Sequence, residues 1–193
     1  MISREEIKMQ AKEQIRGKIG MLFLATLLMA VISGAANIIP VAGMIIVTPA
    51  MTLGYIYIYL DVCAGGEVDI NRLFAGFQRL GQAICLFLMI VIFTILWTLL
   101  FIIPGIIKLI SYSQAFYVLA EHPEMTASEA LDESKRLMDG HNWEYFVLGL
   151  SFLGWALLAS CTCGILYIWL APYMYATYTN YYHKLVELKS VRY

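Results

Sequence analysis

The chain has 193 residues, 61% of them hydrophobic and 14% charged, with mean hydropathy +0.72 and a formal net charge of −1. A soluble domain carries about 25% charged residues, so composition excludes an ordinary soluble globule. The charges are also segregated: residues 19–60 carry none, residues 80–120 only Lys108, and residues 145–183 none. A membrane-crossing helix needs roughly 20 apolar residues. Each interval therefore has room for two crossings joined by a turn.

Residues 3–17 open the chain as an amphipathic helix. Ser3 and Glu6 have capping-box spacing, and Arg4, Lys8, Lys12 and Arg16 recur every four residues as a basic stripe suited to lipid headgroups. The apolar run that follows, with "SGAAN" at its end, has a superficial likeness to a signal peptide cut after Ala36. It exceeds the usual roughly 7–15 apolar residues and more spans follow, so it is expected to stay as a span.

Spans are expected near 19–38 and 41–60, divided at Pro40; near 82–103 and 106–120, divided at Pro104-Gly105; and near 144–161 and 165–183, divided around "CTCG", Cys161 to Gly164. Two further amphipathic helices introduce the second and third pairs. The first covers 69–80, with Asp69 as N-cap and Ile70, Leu73, Phe74, Phe77 and Leu80 on one face. The second covers 126–139, with Thr126 and Glu129 in capping-box spacing, Ala127, Ala130, Leu131, Ser134, Leu137 and Met138 on one face, and Gly140 at its end. Their expected place is the headgroup layer. The fold class is all-α: six transmembrane helices as three hairpins, in a single domain over 1–193. An internal threefold repeat is expected, since Pro49, Tyr55 and Tyr59 recur at the same spacing as Pro172, Tyr178 and Tyr182.

Six spans put every basic residue except Lys108 on one side of the membrane, which the positive-inside rule makes the cytoplasmic one, together with both termini. Lys108 has two readings. Its stem can lift the ammonium to the outer headgroups, or it faces a polar bundle interior with Ser111, Ser113 and Gln114. Tyr173 and Tyr175, nearer mid-membrane, are candidates for that interior, bonding across the bundle as structural glue or lining a solute path. Pro49 and Pro172 are candidate helix breaks, either packed kinks or the edges of a cavity. Tyr55, Tyr57, Tyr59, Tyr178, Tyr181 and Tyr182 suit an aromatic belt at the inner interface.

Reactive constellations are sparse. Cys161 and Cys163 lack metal or redox spacing, Cys63 and Cys85 are isolated, and His122, His141 and His183 are scattered among cytoplasmic loops. There is no phosphate loop, HExxH or nucleophile elbow. No catalytic residue, cofactor or metal is expected, and the chain is read as a non-enzyme. Partners are membrane lipids and other membrane proteins, not nucleic acid.

The stretches "YIYIYLDVCAGGEVDINRLFAGF", "IIPGIIKLISYSQAFYVLAEHPEMTASEALDESKRLMDG" and "LAPYMYATYTNYYHKL" resemble an uncharacterised bacterial family, domain of unknown function 975. The resemblance covers nearly the whole length. It implies a polytopic protein of the bacterial cytoplasmic membrane, common in Gram-positive bacteria, and carries no catalytic residue over. The middle stretch is also loosely similar to membrane domains attached to some glycerophosphodiester phosphodiesterases. Nothing in the chain resembles their catalytic domain, so that activity is not implied. The function expected is a membrane scaffold or accessory subunit, with a transporter or channel for a small solute or lipid as the alternative.

Overall fold

A computed structural model describes residues 4–36, 43–100, 102–161 and 166–190, which are helical with short turns and contain no strand. Helix α1, Arg4–Ile15, has Glu5 and Glu6 in its first turn and Lys12 in its last, matching the helix dipole. Gly17 at φ +81° then reverses the chain into α2, Ile19–Ala36. The expected divider at Pro40 lies outside the described residues.

The second long helix shows what a proline does when the chain has room to adapt. A π-helical turn, Gly43–Val47, leads into α3, Thr48–Cys63, and Pro49 falls in the first turn of α3. Pro49 was expected well inside a span. It is the seventh residue of the continuous helix Gly43–Cys63, and the wide π-helical turn ahead accommodates its missing N–H and its ring.

The segment expected as an interfacial helix over 69–80 is shorter and more intimate with α3. The Asn71 N–H donates to Asp69 Oδ1 at 2.9 Å, so Asp69 organises a turn, and helix α4 is only Arg72–Ala75. A 3₁₀ turn, Gly76–Arg79, runs straight into α5, Leu80–Leu100. Leu73 and Gly76 are buried, whereas Phe74 and Phe77 point outward. The burial has a backbone cause. A Cβ on Gly54 of α3 would lie 1.9 Å from the Leu73 carbonyl oxygen, and one on Gly76 would lie 1.9 Å from the Ala50 carbonyl oxygen. Only glycine at both positions lets the two backbones touch.

The expected span 106–120 is not one helix. Helix α6, Ile102–Ser111, carries Pro104 and Gly105 in its first turn, and α7, Ala115–Glu121, follows a turn. The reason is a side chain from elsewhere. Ser134 Oγ donates to the Ser111 carbonyl at 2.7 Å, while the Ala115 N–H, which would have used that carbonyl, bonds Tyr112 O at 3.1 Å. Ser134→Ala leaves the Ser111 carbonyl buried and unpaired, a loss of about 1–3 kcal/mol. Thermal denaturation of the purified variant should show this cost, and an unchanged midpoint would contradict the account.

Helix α8, Ala127–Met138, has the full capping box of Thr126 and Glu129, and its buried residues are the six of the expected face. That face meets protein rather than lipid: it packs on α5, α6 and α7. Helix α1 likewise buries Ile7, Ala11 and Ile15, chiefly against α10, Tyr167–Ser190. The amphipathic helices therefore wrap one end of the molecule. Gly140, at φ +80°, joins α8 to α9, Asn142–Cys161. Gly17 and Gly140 stand at the same interval as Pro49 and Pro172, and the turns match. Lys18 N–H bonds Ile15 O at 2.9 Å, and His141 N–H bonds Met138 O at 2.9 Å.

Among the described residues four helices are long and apolar enough to cross a membrane: Ile19–Ala36, Gly43–Cys63, Arg72–Leu99 and Asn142–Ser160. Burial separates them, with 61% of the Gly43–Cys63 window buried against 11–17% for the other three. Helix α3 is thus the central post. Large exposed apolar side chains such as Leu27, Ile95, Leu99, Leu153 and Leu157 form a girdle around one part of the molecule.

Candidate functional site

The polar residues expected to share a bundle interior are divided among several neighbourhoods. Lys108 is half-buried on α6, with Nζ 5.0 Å from the Trp97 ring centroid of α5, a cation–π contact within the hairpin. Ser111 Oγ lies 2.9 Å from the Ile107 carbonyl and 3.2 Å from Asn142 Oδ1. Gln114 is fully buried. Its amide nitrogen donates to Ser113 Oγ at 2.8 Å, and its carbonyl oxygen has no partner among the described residues. Ser111, Ser113 and Gln114 thus sit together around the turn between α6 and α7, without Lys108.

The two tyrosines go elsewhere. Tyr173 sets its ring edge-on to Phe152 of α9, with centroids 5.6 Å apart. Tyr175 packs on Tyr55 and Tyr59 of α3 at 4.7 and 5.4 Å. The Tyr55 hydroxyl bonds Thr26 of α2 and lies 3.2 Å from the Tyr59 hydroxyl. Pro172 is buried inside a continuous α10 and does not interrupt it.

Most of the tyrosines expected in an interfacial belt are core residues. Tyr55, Tyr59, Tyr181 and Tyr182 are at most 1% exposed. Their hydroxyls have internal partners, so burial leaves few donors unpaired. Tyr181 donates to the His141 carbonyl at 3.2 Å, and Tyr182 donates to Glu121 Oε2 at 2.8 Å. Among the exposed aromatic residues are Trp143, Trp155, Trp169 and Tyr167, together with Phe74, Phe77, Phe146 and Tyr175.

Each histidine has its own carboxylate. His122 pairs with Glu124 at 3.2 Å, His141 with Glu144 at 3.0 Å, and His183 with Glu121 at 3.5 Å. Among the described residues no three His, Cys, Asp or Glu side chains gather as metal ligands. Hydrogen bonding from His183, with help from the Tyr182 hydroxyl and against some burial, holds the Glu121 carboxyl below its ordinary range.

Polar ties that periodicity does not reveal close the buried end. Gln14 donates to the Cys63 carbonyl at 2.9 Å and accepts from Asn180 at 2.6 Å, joining α1, α3 and α10. Arg79 donates to the carbonyls of Leu119 and Pro123 at 2.5 and 2.6 Å, satisfying the end of α7. Lys8, of the basic stripe, donates to Ser151 Oγ at 2.6 Å and lies 4.4 Å from the Phe152 ring centroid. Arg4, Lys12 and Arg16 remain exposed. Cys163 and Gly164 lie outside the described residues, as does the side chain of Cys161.

A family model described as protein of unknown function DUF975 matches residues 1–112 and 102–189. No curated protein and no solved structure matches the chain, and the similarity to phosphodiesterase membrane domains is not shown. With an all-helical fold, four helices able to cross a membrane and a match that runs from residue 1 to residue 189, the chain belongs to the DUF975 family.

Proposed function

We propose that this chain is a six-crossing, non-enzymatic scaffold or accessory subunit of the bacterial cytoplasmic membrane, with both termini in the cytoplasm. Four of the crossings have the length and hydropathy required. Helix α6 is about 15 Å long at 1.5 Å per residue, half of a ~30 Å hydrocarbon core, and α7 continues its path. The charge-free part of α10, residues 167–183, about 26 Å long at 1.5 Å per residue, supplies the sixth. The matched Gly17 and Gly140 turns support descent of the first and third pairs from one repeated unit.

The observation that carries the scaffold reading is the filled interior. Where a solute path would run between α3, α7 and α10, there are packed tyrosine rings: Tyr117 lies on Tyr182 at 5.3 Å, and Tyr55, Tyr59 and Tyr175 interlock. Phe74 and Phe77 project from the cytoplasmic side as contacts for a protein partner. A photo-crosslinking residue at either position should give one discrete adduct in native membranes. Lipid adducts alone, or solute flux through vesicles containing the purified chain, would overturn the reading. Gln114, with its buried unpaired carbonyl, favours transport as the second reading.

Orientation is tested separately. In a Cys63→Ala, Cys85→Ala background, an impermeant maleimide should reach Cys161 and Cys163 from outside the cell. Labelling from the interior only would reverse the proposed topology.

A further inference from the structure

A groove of about 610 Å³ lies between α1 and the α9–α10 hairpin. Its size is within the roughly 300–1,000 Å³ of small-molecule sites. One wall is basic. Lys8 and Lys12 stand on successive turns of α1 and Arg16 on the turn just after it, with Glu13 the one acid among the lining residues. Lys8 is anchored by Ser151 and Phe152, whereas the side chains of Lys12 and Arg16 form no ion pair among the described residues. Three cations against one carboxylate leave an excess of positive charge at this rim. Burial, and then the neighbouring Arg4, lower the pKa of Lys8.

The opposite wall is aromatic. Trp155 of α9 and Trp169 of α10 are each 54% exposed, with Leu170 and Tyr173 beneath them. An occupant must therefore be anionic at the α1 end and apolar along the hairpin. A protein segment would need an acidic end continuous with an uncharged greasy stretch at this same spacing, whereas a bilayer lipid has that form already.

We propose that this groove binds one anionic glycerophospholipid of the inner leaflet, its phosphate on Lys12 and Arg16 and an acyl chain along Trp155 and Trp169. The proposal names the ligand of one site and rests on the membrane-embedded part of the reading above, not on the scaffold role. Lys12 and Arg16 are the discriminating residues, because phosphatidylcholine carries a compensating cation in its own headgroup. Near an anionic surface each basic residue contributes about 1 kcal/mol, so removing two should reduce the anionic preference roughly 30-fold.

The full chain with Trp97→Phe and Trp143→Phe keeps Trp155 and Trp169 as its indoles. It is reconstituted in phosphatidylcholine vesicles doped with dibrominated phosphatidylglycerol or, at the same fraction, dibrominated phosphatidylcholine. Indole quenching by the brominated phosphatidylglycerol should saturate at a much lower fraction. Lys12→Gln with Arg16→Gln should abolish that difference while leaving helical content unchanged. Raised salt should shrink it in the unmutated chain, which tests the same charge term if the double variant fails to fold. Equal quenching by the two lipids, or a preference that survives both the variant and salt, overturns the proposal. Indoles shielded from both lipids at high protein density but not at low density would overturn it in favour of a second copy. Solute flux would remove the scaffold role and leave this lipid preference standing.

Discussion

Gly76→Ala lowers the thermal midpoint of the purified chain by about 2–12 °C, the largest effect expected of any single methyl group in this protein. The added carbon would stand 1.9 Å from the Ala50 carbonyl oxygen and 2.9 Å from the Gly54 nitrogen, all of it backbone. No rotamer relieves such a contact, so the segment 72–79 must lift off α3. Overpacking of this kind costs typically 1–3 kcal/mol, and each kcal/mol shifts the midpoint of a chain this size by roughly 2–4 °C. Gly54→Ala meets the Leu73 carbonyl at the same distance and should behave alike. Gly81→Ala is the control: nothing lies within 4 Å of its Cβ position, and α5 already contains it. There alanine is the better helix former, so stability should hold or rise. Equal losses at Gly76 and Gly81 would mean that the close crossing is absent.

Tyr182→Phe destabilises by about 1.5–3 kcal/mol at neutral pH, the range for a hydrogen bond to a charged group. The phenol donates to Glu121 at 2.8 Å and ties the end of α7 to α10. The pH dependence identifies the partner. Glu121 has a folded-state pKa below its ordinary 4.5, owing first to His183 and then to Tyr182. A carboxylate depressed in this way contributes stability that is fully present above about pH 4.5 and is lost as pH falls through the folded value. The gap between Tyr182→Phe and the parent chain should therefore be constant above that pH and narrow below it. A gap that does not change on acidification would show that Tyr182 acts through packing on Tyr117 alone, at 5.3 Å.

How far the sequence led depends on what kind of information each element needed. Helix α8 was legible in full because Thr126, Glu129 and a periodic apolar face are local signals. What covers that face was not legible. Periodicity says that Ala130 and Leu137 are hidden from water, and lipid and protein satisfy it equally. The break between α6 and α7 lies in an unbroken apolar run, and its cause, Ser134, is on another helix. Tyr55, Tyr59, Tyr181 and Tyr182 look like interface residues by composition. Their burial follows from the amphipathic helices folding over them, which is again a tertiary event. For the candidate interior, spacing along one helix placed Lys108 beside Ser111, but Trp97 of α5 takes the cation while Ser111 bonds the Ile107 carbonyl and Asn142. The stripe on α1 was visible as charge, whereas the groove it borders needed Trp155 and Trp169 from the far end of the chain.

The tie between α1 and α10 also sets an order of events at the ribosome. Ile7 is buried beside Tyr181 and Leu185, and Gln14 bonds Asn180. Helix α1 must then wait, its greasy face uncovered, until α10 has been made. During that interval the nascent amino end is open to chaperones and proteases, and a chain cut short after α9 would never close it. Helix α10 thus works as a latch on α1, closing across 166 residues of sequence at the Gln14–Asn180 contact.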